Sequence, residues 1–216
     1  MKWVFLFFPC LLFGALNDNG DFQVWNTDSI NVRMGKRAFV KGQTEFRYGR
    51  DGSKLYYKHY QGGMMFILSP QVLFETAYRH IFLRYDHNWN KIYSPLMDLT
   101  FQVQSRRGLY IGDRNRIQYL IFDKRLGGKK RWLYRNRFEF VPALRVTQRK
   151  IAPYFANEFF WQEAMGISEN RLELGLKIPY HQRTQLNLAY MSRNFKNLRK
   201  KWVHHNVTWV HFSLHF

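Results

Sequence analysis

The sequence predicts an all-β protein, an antiparallel transmembrane β-barrel of 10–12 strands at residues 18–216 that follows a signal peptide at residues 1–17. Three observations lead to this fold class. The chain opens with one lysine and an apolar run, apolar and polar residues alternate through most of the remainder, and the last residue is aromatic. Barrels that span lipid are built from such alternation, because lipid-facing and lumen-facing residues follow one another along each strand.

The composition supports one folded domain with a strong positive charge. The 216 residues include 34 Lys+Arg against 15 Asp+Glu, which gives a net charge of +19, and 19% of the residues are aromatic. So many aromatic residues argue against a disordered or low-complexity chain. The single cysteine, Cys10, excludes an intrachain disulfide framework and a cysteine-based zinc site.

The first residues have the pattern of a secretory signal peptide. Lys2 precedes an apolar run at residues 3–15, which is too short for a membrane-spanning helix. Cleavage near Asn17 would remove Cys10 and lower the net charge to +18. An uncleaved anchor and lipidation at Cys10 are the alternatives. No later apolar run reaches the ~18 residues that a spanning helix needs, so any later membrane residence requires strands.

Period-2 alternation predicts the strands. Six segments alternate clearly and five more do so weakly, while none carries a sustained helical stripe. The clear segments are 37–48, 96–104, 131–141, 171–178, 185–191 and 207–216, and the weaker ones are 22–33, 55–68, 71–85, 110–122 and 154–162.

The count of eleven segments conflicts with the even strand number of single-chain bacterial barrels. The sequence therefore predicts that one segment is misassigned. Either 22–33 is not a full strand, which gives ten, or a strand is missing from 142–164, which gives twelve.

The connections alternate between tight turns and longer polar segments, as expected for short periplasmic turns and longer outer loops. Several of the longer segments are basic. They either remain solvated or contact phosphates of lipopolysaccharide. The tight turns are 34–36, 69–70 and 106–108, the longer segments are 50–53, 86–90, 123–130 and 194–201, and the basic clusters are Lys124-Arg125, Lys129 to Arg131 and Lys196 to Lys201.

A short motif of the form Arg, apolar, Glu/Gln, apolar occurs three times and assigns the two faces. On a strand the two polar residues share one face and the apolar pair shares the other. Because an arginine facing lipid at the midplane costs roughly 2–4 kcal/mol, the polar face should line the lumen as a charge ladder. The ladder either fills a narrow interior or forms an anion-favouring lining, unless these strands belong to a soluble sheet. Its residues are Arg116, Gln118, Arg137, Glu139, Arg171 and Glu173.

The end of the chain carries a second signal. Phe212, Leu214 and Phe216 share one face of the last segment. A terminal aromatic residue preceded by apolar residues at alternate positions is similar to the signal that the outer-membrane assembly machinery reads. That machinery is therefore an expected partner. Trp132 and Trp161, together with Trp202, are candidates for aromatic girdles at the membrane interfaces.

Several short motifs together resemble the bacterial outer-membrane proteins catalogued as domain of unknown function 2490. The resemblance covers about residues 20–216 and implies an outer-membrane β-barrel of a Gram-negative-type bacterium, without an activity or a substrate. The motifs are Asp21-Phe-Gln-Val-Trp25, Thr44-Glu-Phe-Arg-Tyr48, Tyr78-Arg-His80, the Arg-Asn-Arg segments at 114 and 135, Asn157-Glu-Phe-Phe160 and Asn170-Arg-Leu172.

A search for chemistry finds one weak candidate. No metal-binding spacing or phosphate loop occurs, and no cofactor is expected. His211 and Ser213 should share the lumenal face of the last strand, where a histidine could activate a serine hydroxyl. Residues at i and i+2 on a strand lie ~6.5 Å apart, which is long for a hydrogen bond. The last acidic residue is Glu173, so no carboxylate follows the pair.

The sequence favours a small outer-membrane barrel with a structural, envelope or narrow-transport role and a filled lumen. Its expected surroundings are outer-membrane lipid and possible lipopolysaccharide phosphates. An enzyme is the less favoured interpretation, in the form of a membrane-embedded hydrolase that modifies lipid A. A soluble basic β-protein that binds nucleic acid is a third alternative, and nucleic acid is not expected as a partner of an exported protein. The oligomeric state is left open.

Overall fold

The structure, a computed structural model, describes residues 19–85, 88–106, 108–148, 150–163, 165–197 and 200–216. The predicted signal peptide lies outside these ranges, and so does Cys10. No helix within them is long and apolar enough to cross a membrane. The strands are β1 (Asp21–Arg33), β2 (Ala38–Gly49), β3 (Lys54–Ser69), β4 (Val72–Tyr85), β5 (Asn88–Gln104), β6 (Tyr110–Phe122), β7 (Lys130–Val141), β8 (Ala152–Gln162), β9 (Gly166–His181), β10 (Thr184–Lys196) and β11 (Trp202–His215).

The eleven strands form one closed barrel in which each strand pairs with its sequence neighbours. All eleven segments predicted from alternation correspond to these strands, so the prediction of an all-β barrel is confirmed. The strands are rich in β-branched and aromatic residues, which suit a pleated surface. One short 3₁₀ turn, Lys124–Leu126, lies in the connection after β6.

The strand number corrects the parity argument. Neither ten nor twelve strands are present, because β1 is a full strand and residues 142–151 form a connection that holds a single isolated bridge. An odd number of strands in a meander leaves the first and the last strand running in the same direction. The barrel therefore closes through a parallel pair of β1 and β11, from Asp21 opposite His205 to Asn31 opposite His215. All other pairs are antiparallel, so the prediction of a wholly antiparallel barrel is wrong at this one pair.

The barrel has two mouths. The N mouth is the end at which β1 begins, and the C mouth is the end at which β1 stops and Phe216 lies. The C mouth carries the connections predicted to be short, but residues 142–151 between β7 and β8 exceed any connection of the N mouth. The expected division into short turns and long loops is therefore wrong at this place. Arg145 holds this connection in position by donating to Gly108 O at 2.7 Å.

Close strand packing is achieved partly through glycine. A Cβ on Gly63 would lie 2.4 Å from Thr76 O, and one on Gly175 would lie 2.6 Å from Leu188 O. Both positions therefore exclude a side chain. Gly62, in contrast, has open space where a Cβ would be. Neighbouring backbones can pack closely at Gly63 and Gly175 because neither residue has a side chain.

Candidate functional site

The motif residues divide between the two faces of the barrel wall. Arg116 is 4% exposed and Glu173 is 2% exposed, while the apolar mate Leu174 is 60% exposed on the outer face. The six predicted ladder residues face the interior. Arg116, Gln118, Arg171 and Glu173 are buried, and the side chains of Arg137 and Glu139 are 13% and 20% exposed.

Each motif arginine has a carboxylate partner on another strand, and Arg137 also contacts Glu139 of its own motif. Arg116 forms a bidentate pair with Asp98 on β5, at 2.6 and 2.5 Å. Arg137 donates to both carboxylate oxygens of Glu173, at 2.6 and 2.9 Å, and to Glu139 at 3.2 Å. Such two-point contacts fix both the position and the direction of the guanidinium. The interior charges therefore tie neighbouring strands together.

Glu158 is the centre of the largest ion-pair cluster and was not among the predicted site residues. Its Oε1 accepts hydrogen bonds from Arg114 and Arg135, each at 2.8 Å, and its Oε2 lies 3.5 Å from Arg171. The side chain is only 2% exposed. A carboxylate this deeply buried needs cationic partners, because desolvation disfavours an isolated charge. The inward position of residue 158 follows from the alternation of β8, but its three partners come from three other positions of the fold.

A second cluster surrounds Trp25, which is 1% exposed. The guanidinium of Arg47 lies 3.7 Å from the indole ring centre, and that of Arg171 lies 4.8 Å from it. Glu45 accepts from Arg47 at 2.5 Å. Glu169 accepts from Arg171 at 2.6 Å, and Arg193 approaches the same carboxylate at 2.7 Å. Cation–π contacts and ion pairs together fill this part of the interior.

The interior is close to electrically neutral. Among the described residues, the interior side chains that are buried or ion-paired comprise ten cations and eight acids, so most of this charge is neutralised within the barrel. The remaining excess positive charge lies at the mouths. The cations are Lys41, Arg47, Arg79, Arg114, Arg116, Arg135, Arg137, Arg171, Lys177 and Arg193, and the acids are Asp21, Glu45, Glu75, Asp98, Glu139, Glu158, Glu169 and Glu173.

A cavity of about 220 Å³ remains near the C mouth. Its lining combines cations such as Lys41 and Arg114 with Glu75 and Glu139, and both acids already bind lysine side chains. The cavity is therefore lined by charges that neutralise each other. The clusters around Glu158 and Trp25 occupy the interior beyond it, which agrees with the expectation of a mostly filled lumen.

The structure brings His211 and Ser213 together, which corrects the distance argument. Ser213 Oγ lies 3.2 Å from His211 Nε2, because the two side chains lean towards each other along the strand. Ser29 of β1 lies closer still, with its Oγ 2.9 Å from the same nitrogen. Ser29 reaches this place through the parallel pairing of β1 with β11, which the sequence pattern did not predict.

His211 has polar neighbours at both ring nitrogens. Gln185 donates to Asn187 Oδ1 at 2.7 Å, and Asn187 Nδ2 lies 3.4 Å from His211 Nδ1. Nε2 faces the hydroxyl groups of Ser29 and Ser213. A base that activates serine needs an unprotonated nitrogen towards the hydroxyl. In the described residues, no carboxylate forms a hydrogen bond with His211.

Histidines and acids elsewhere do not gather into a metal site. Within the described ranges, no group of three or more His, Cys, Asp or Glu side chains could hold a metal ion.

The outer face is dominated by apolar side chains. Several of the polar side chains on this face are hydrogen-bonded to one another: Asn26 donates to Asp28 at 2.9 Å, and Asn115 and Asn136 donate to Asp113 at 2.8 and 2.6 Å. The large apolar side chains most exposed on the strands include Met97, Phe101, Val103, Ile117, Phe138, Leu172, Leu174, Leu176, Leu188, Trp132, Trp161 and Trp202.

The predicted assembly signal lies on this outer face, beside β1. Phe212 pairs in register with Asp28, and Leu214 pairs with Ile30. Phe216 is 54% exposed, donates its N–H to Asn31 O at 2.8 Å and accepts from Arg33 N at 2.8 Å. The last residues are therefore built into the closing pair of the barrel.

Comparison with known proteins gives one family match. The family model described as "Protein of unknown function (DUF2490)" matches residues 22–204, from the second residue of β1 to the third residue of β11. The family drawn from the sequence motifs is thus confirmed, while the outer-membrane location that the resemblance implied stays a prediction. No match was found among curated proteins.

Proposed function

Since the chain belongs to the DUF2490 family, whose description assigns no activity, we propose a function from the barrel itself: a small barrel of a bacterial outer membrane with a filled, charged interior. Its role is structural in the envelope, or transport along a narrow path. The family model covers residues 22–204, which is most of the barrel. We therefore base the proposal on a property of the whole barrel wall and not on a single connection.

The polarity of the wall carries this proposal. A water-soluble barrel would place its charges outside and its apolar side chains inside. Here Leu174 is 60% exposed and Met97 is 59% exposed, while Glu158 is 2% exposed among arginines. An apolar outer band over a polar interior is the arrangement of barrels in lipid. The tryptophans at 132, 161 and 202 are exposed towards the N mouth, where they would form one aromatic girdle.

The filled interior defines the role. The cavity of about 220 Å³ opens near the C mouth, and the salt-bridge clusters lie beyond it. We therefore expect no wide diffusion pore, and a narrow path is the most that transport would use. Planar-bilayer recordings test this point. Steps of porin size would contradict it, while silence or a very small conductance would agree with it.

The basic connections of the N mouth suit anionic phosphates. Lys124, Arg125 and Lys129 lie in one connection, and Lys200 and Lys201 lie in another. In an outer membrane with the C mouth towards the periplasm, this mouth faces the lipopolysaccharide leaflet. Cations there reduce the repulsion between headgroups. The terminal residues Phe212, Leu214 and Phe216, of which Phe216 is exposed, would be read by the assembly machinery during insertion.

Membrane fractionation of the expressed full-length chain tests the location, and a detergent gel tests the fold. The chain should sediment with the outer membrane, lose its signal peptide and migrate faster unheated than boiled. The purified protein should also float with lipid vesicles. Recovery in the soluble fraction, with no flotation, would contradict the proposal. That result would instead favour the soluble basic protein, which nucleic-acid binding in a gel-shift assay would then identify.

A lipid-modifying hydrolase is the second candidate, because Ser29 and Ser213 both contact His211. Two features argue against it. In the described residues no carboxylate orients His211 by a hydrogen bond, and the strand N–H groups are engaged in the β-ladder, which leaves few donors for an oxyanion. Mass spectrometry of lipid A from cells that express the protein or its H211A/S213A variant decides the matter. Identical lipid profiles eliminate the hydrolase, and a deacylated species that the variant lacks would establish it.

A further inference from the structure

The C mouth carries positive charge that the proposed function leaves unused. Its described connections contain Lys36, Arg37, Arg106, Arg145, Lys150 and Arg183, and no Asp or Glu side chain. The interior cations are neutralised by buried acids, whereas these have no acidic neighbours on their own rim. Charge at this mouth is therefore available to an anion from outside the barrel.

One part of this rim forms a pocket. The connection between β1 and β2 faces the end of β3 across an open pocket of about 400 Å³, which is lined by Gly35, Lys36, Arg37, Ala38, Phe66, Ile67 and Leu68. The pocket thus combines two cations on one side with large apolar side chains on the other.

The connection that carries the two cations is held in place by other groups. Arg33 donates to Gly35 O at 3.0 Å and to Lys36 O at 3.3 Å, and Ile67 N donates to Arg37 O at 2.8 Å. These bonds use the backbone and the Arg33 side chain, and they engage neither the Lys36 ammonium nor the Arg37 guanidinium group. Within the described residues, neither side chain forms an ion pair.

The apolar side of the pocket continues into the outer band. Leu68 is 55% exposed, and below it Met64 pairs in register with Val40, with exposures of 41% and 40%. A ligand of this pocket would meet cations at the rim and a hydrocarbon surface directly beneath them. A free anion would contact only the cations at the rim. A phospholipid would use both, because its phosphate sits at the interface while its acyl chains run along the wall.

We propose that this pocket binds the headgroup of an anionic glycerophospholipid, with Lys36 and Arg37 on the phosphate and Leu68 beside the acyl chains. The proposal rests on the proposed function, since the wall must stand in a bilayer. It adds a lipid site on the leaflet opposite the one that the N mouth would face. Basic residues near a membrane surface each contribute roughly 1 kcal/mol towards anionic lipid, which is about fivefold for one residue and roughly thirtyfold for both.

Photocrosslinking in vesicles tests the site. The full-length protein is reconstituted in phosphatidylcholine vesicles with a small fraction of photoactivatable phosphatidylglycerol, and crosslinked peptides are mapped by mass spectrometry. The K36A/R37A variant removes one lysine and one arginine from the pocket. The matched control, K124A/R125A, removes the same two residue types from the N mouth. Both changes lie in exposed connections, and heat-modified migration on a gel verifies the fold of each variant.

Crosslinks should fall on residues 34–38 and 64–68, drop at least fivefold in K36A/R37A and persist in K124A/R125A. Equal crosslinking by a photoactivatable phosphatidylcholine, or an unchanged yield in K36A/R37A, would overturn the proposal. Inorganic phosphate is added in a further arm. If millimolar phosphate abolished the crosslinks, the site would be one for small anions and the assignment to a lipid would be wrong. A protein that fails to float with vesicles would refute the proposed membrane function itself, whereas a floating protein without these crosslinks refutes only the lipid site.

Discussion

Glu158→Gln is the most informative single change, because it removes one charge and almost no volume. The amide oxygen of glutamine would take the position of Oε1, which accepts hydrogen bonds from Arg114 and Arg135 at 2.8 Å. Its NH₂ group would then face Arg171 in place of Oε2. The guanidinium groups would then face a neutral side chain at a site that is 2% exposed. The interior would lose one of its acids while all of its cations remain.

The expected loss of stability follows from this burial. Removing one partner of a buried ion pair costs about 3–5 kcal/mol, because the other charge stays desolvated without compensation. Arg135 and Arg171 are 10% and 7% exposed and supply most of this effect, while Arg114 is 29% exposed and partly solvated. We therefore expect Glu158→Gln to lower the free energy of unfolding by about 3–5 kcal/mol.

Urea unfolding in detergent micelles, followed by tryptophan fluorescence, measures this difference. The control is Glu163→Gln, the same substitution at an exposed position in the connection between β8 and β9. Exposed changes of this kind usually stay within about 0.5 kcal/mol. A Glu158→Gln variant within 1 kcal/mol of the wild type would show that water or rearrangement solvates the arginines. The account of a dry, filled interior would then be wrong.

Three further changes probe other parts of the wall. Leu174→Arg should lower the free energy of unfolding from a bilayer by roughly 2–4 kcal/mol, and Tyr180→Arg near the C mouth should lower it by less than about 1 kcal/mol. Equal losses in the two variants would contradict a lipid-facing band. Gly63→Ala should clearly destabilise the barrel because its Cβ would meet a backbone oxygen at 2.4 Å, whereas Gly62→Ala has open space, so equal melting temperatures would refute the close packing. Trp25→Ala should lower the free energy of unfolding in urea by about 3–5 kcal/mol and should raise single-channel conductance. A variant with wild-type stability and no conductance would show that Trp25 does not fill the lumen.

Alternation predicted the strands well because each wall position has only two environments. In β9, Leu172 and Leu174 lie outside while Arg171 and Glu173 lie inside, as the period of two requires. The same rule placed residues 22–33, which a count of strands alone would have discarded. The error came from the assumption that closure must be antiparallel. No local pattern reports which strands meet at closure, because that depends on the whole meander.

The sequence could not predict which interior side chains pair with one another, for a related reason. The motif placed Arg116 on the inner face but did not identify its bidentate partner, which is Asp98 on the neighbouring strand. Such contacts depend on register and tilt, which side-chain alternation does not define. Glu158 shows the same limit, since its position inside was predictable and its three arginines were not. The contact of Ser29 with His211 arises only once β1 and β11 are side by side.

The parallel pair of β1 and β11 has a consequence for the order of folding. Its side-chain contacts join residues 182 to 184 positions apart, so the loss of chain entropy on forming them is the largest in the molecule. No hairpin turn can set their alignment, as a turn does for every other pair. Gln23 with His205, Thr27 with Trp209 and Ser29 with His211 bridge the two strands instead, at 2.8 to 2.9 Å. These side-chain hydrogen bonds select one register of β1 against β11 when the barrel closes. A slip by one residue would place one partner of each bond on the outer face.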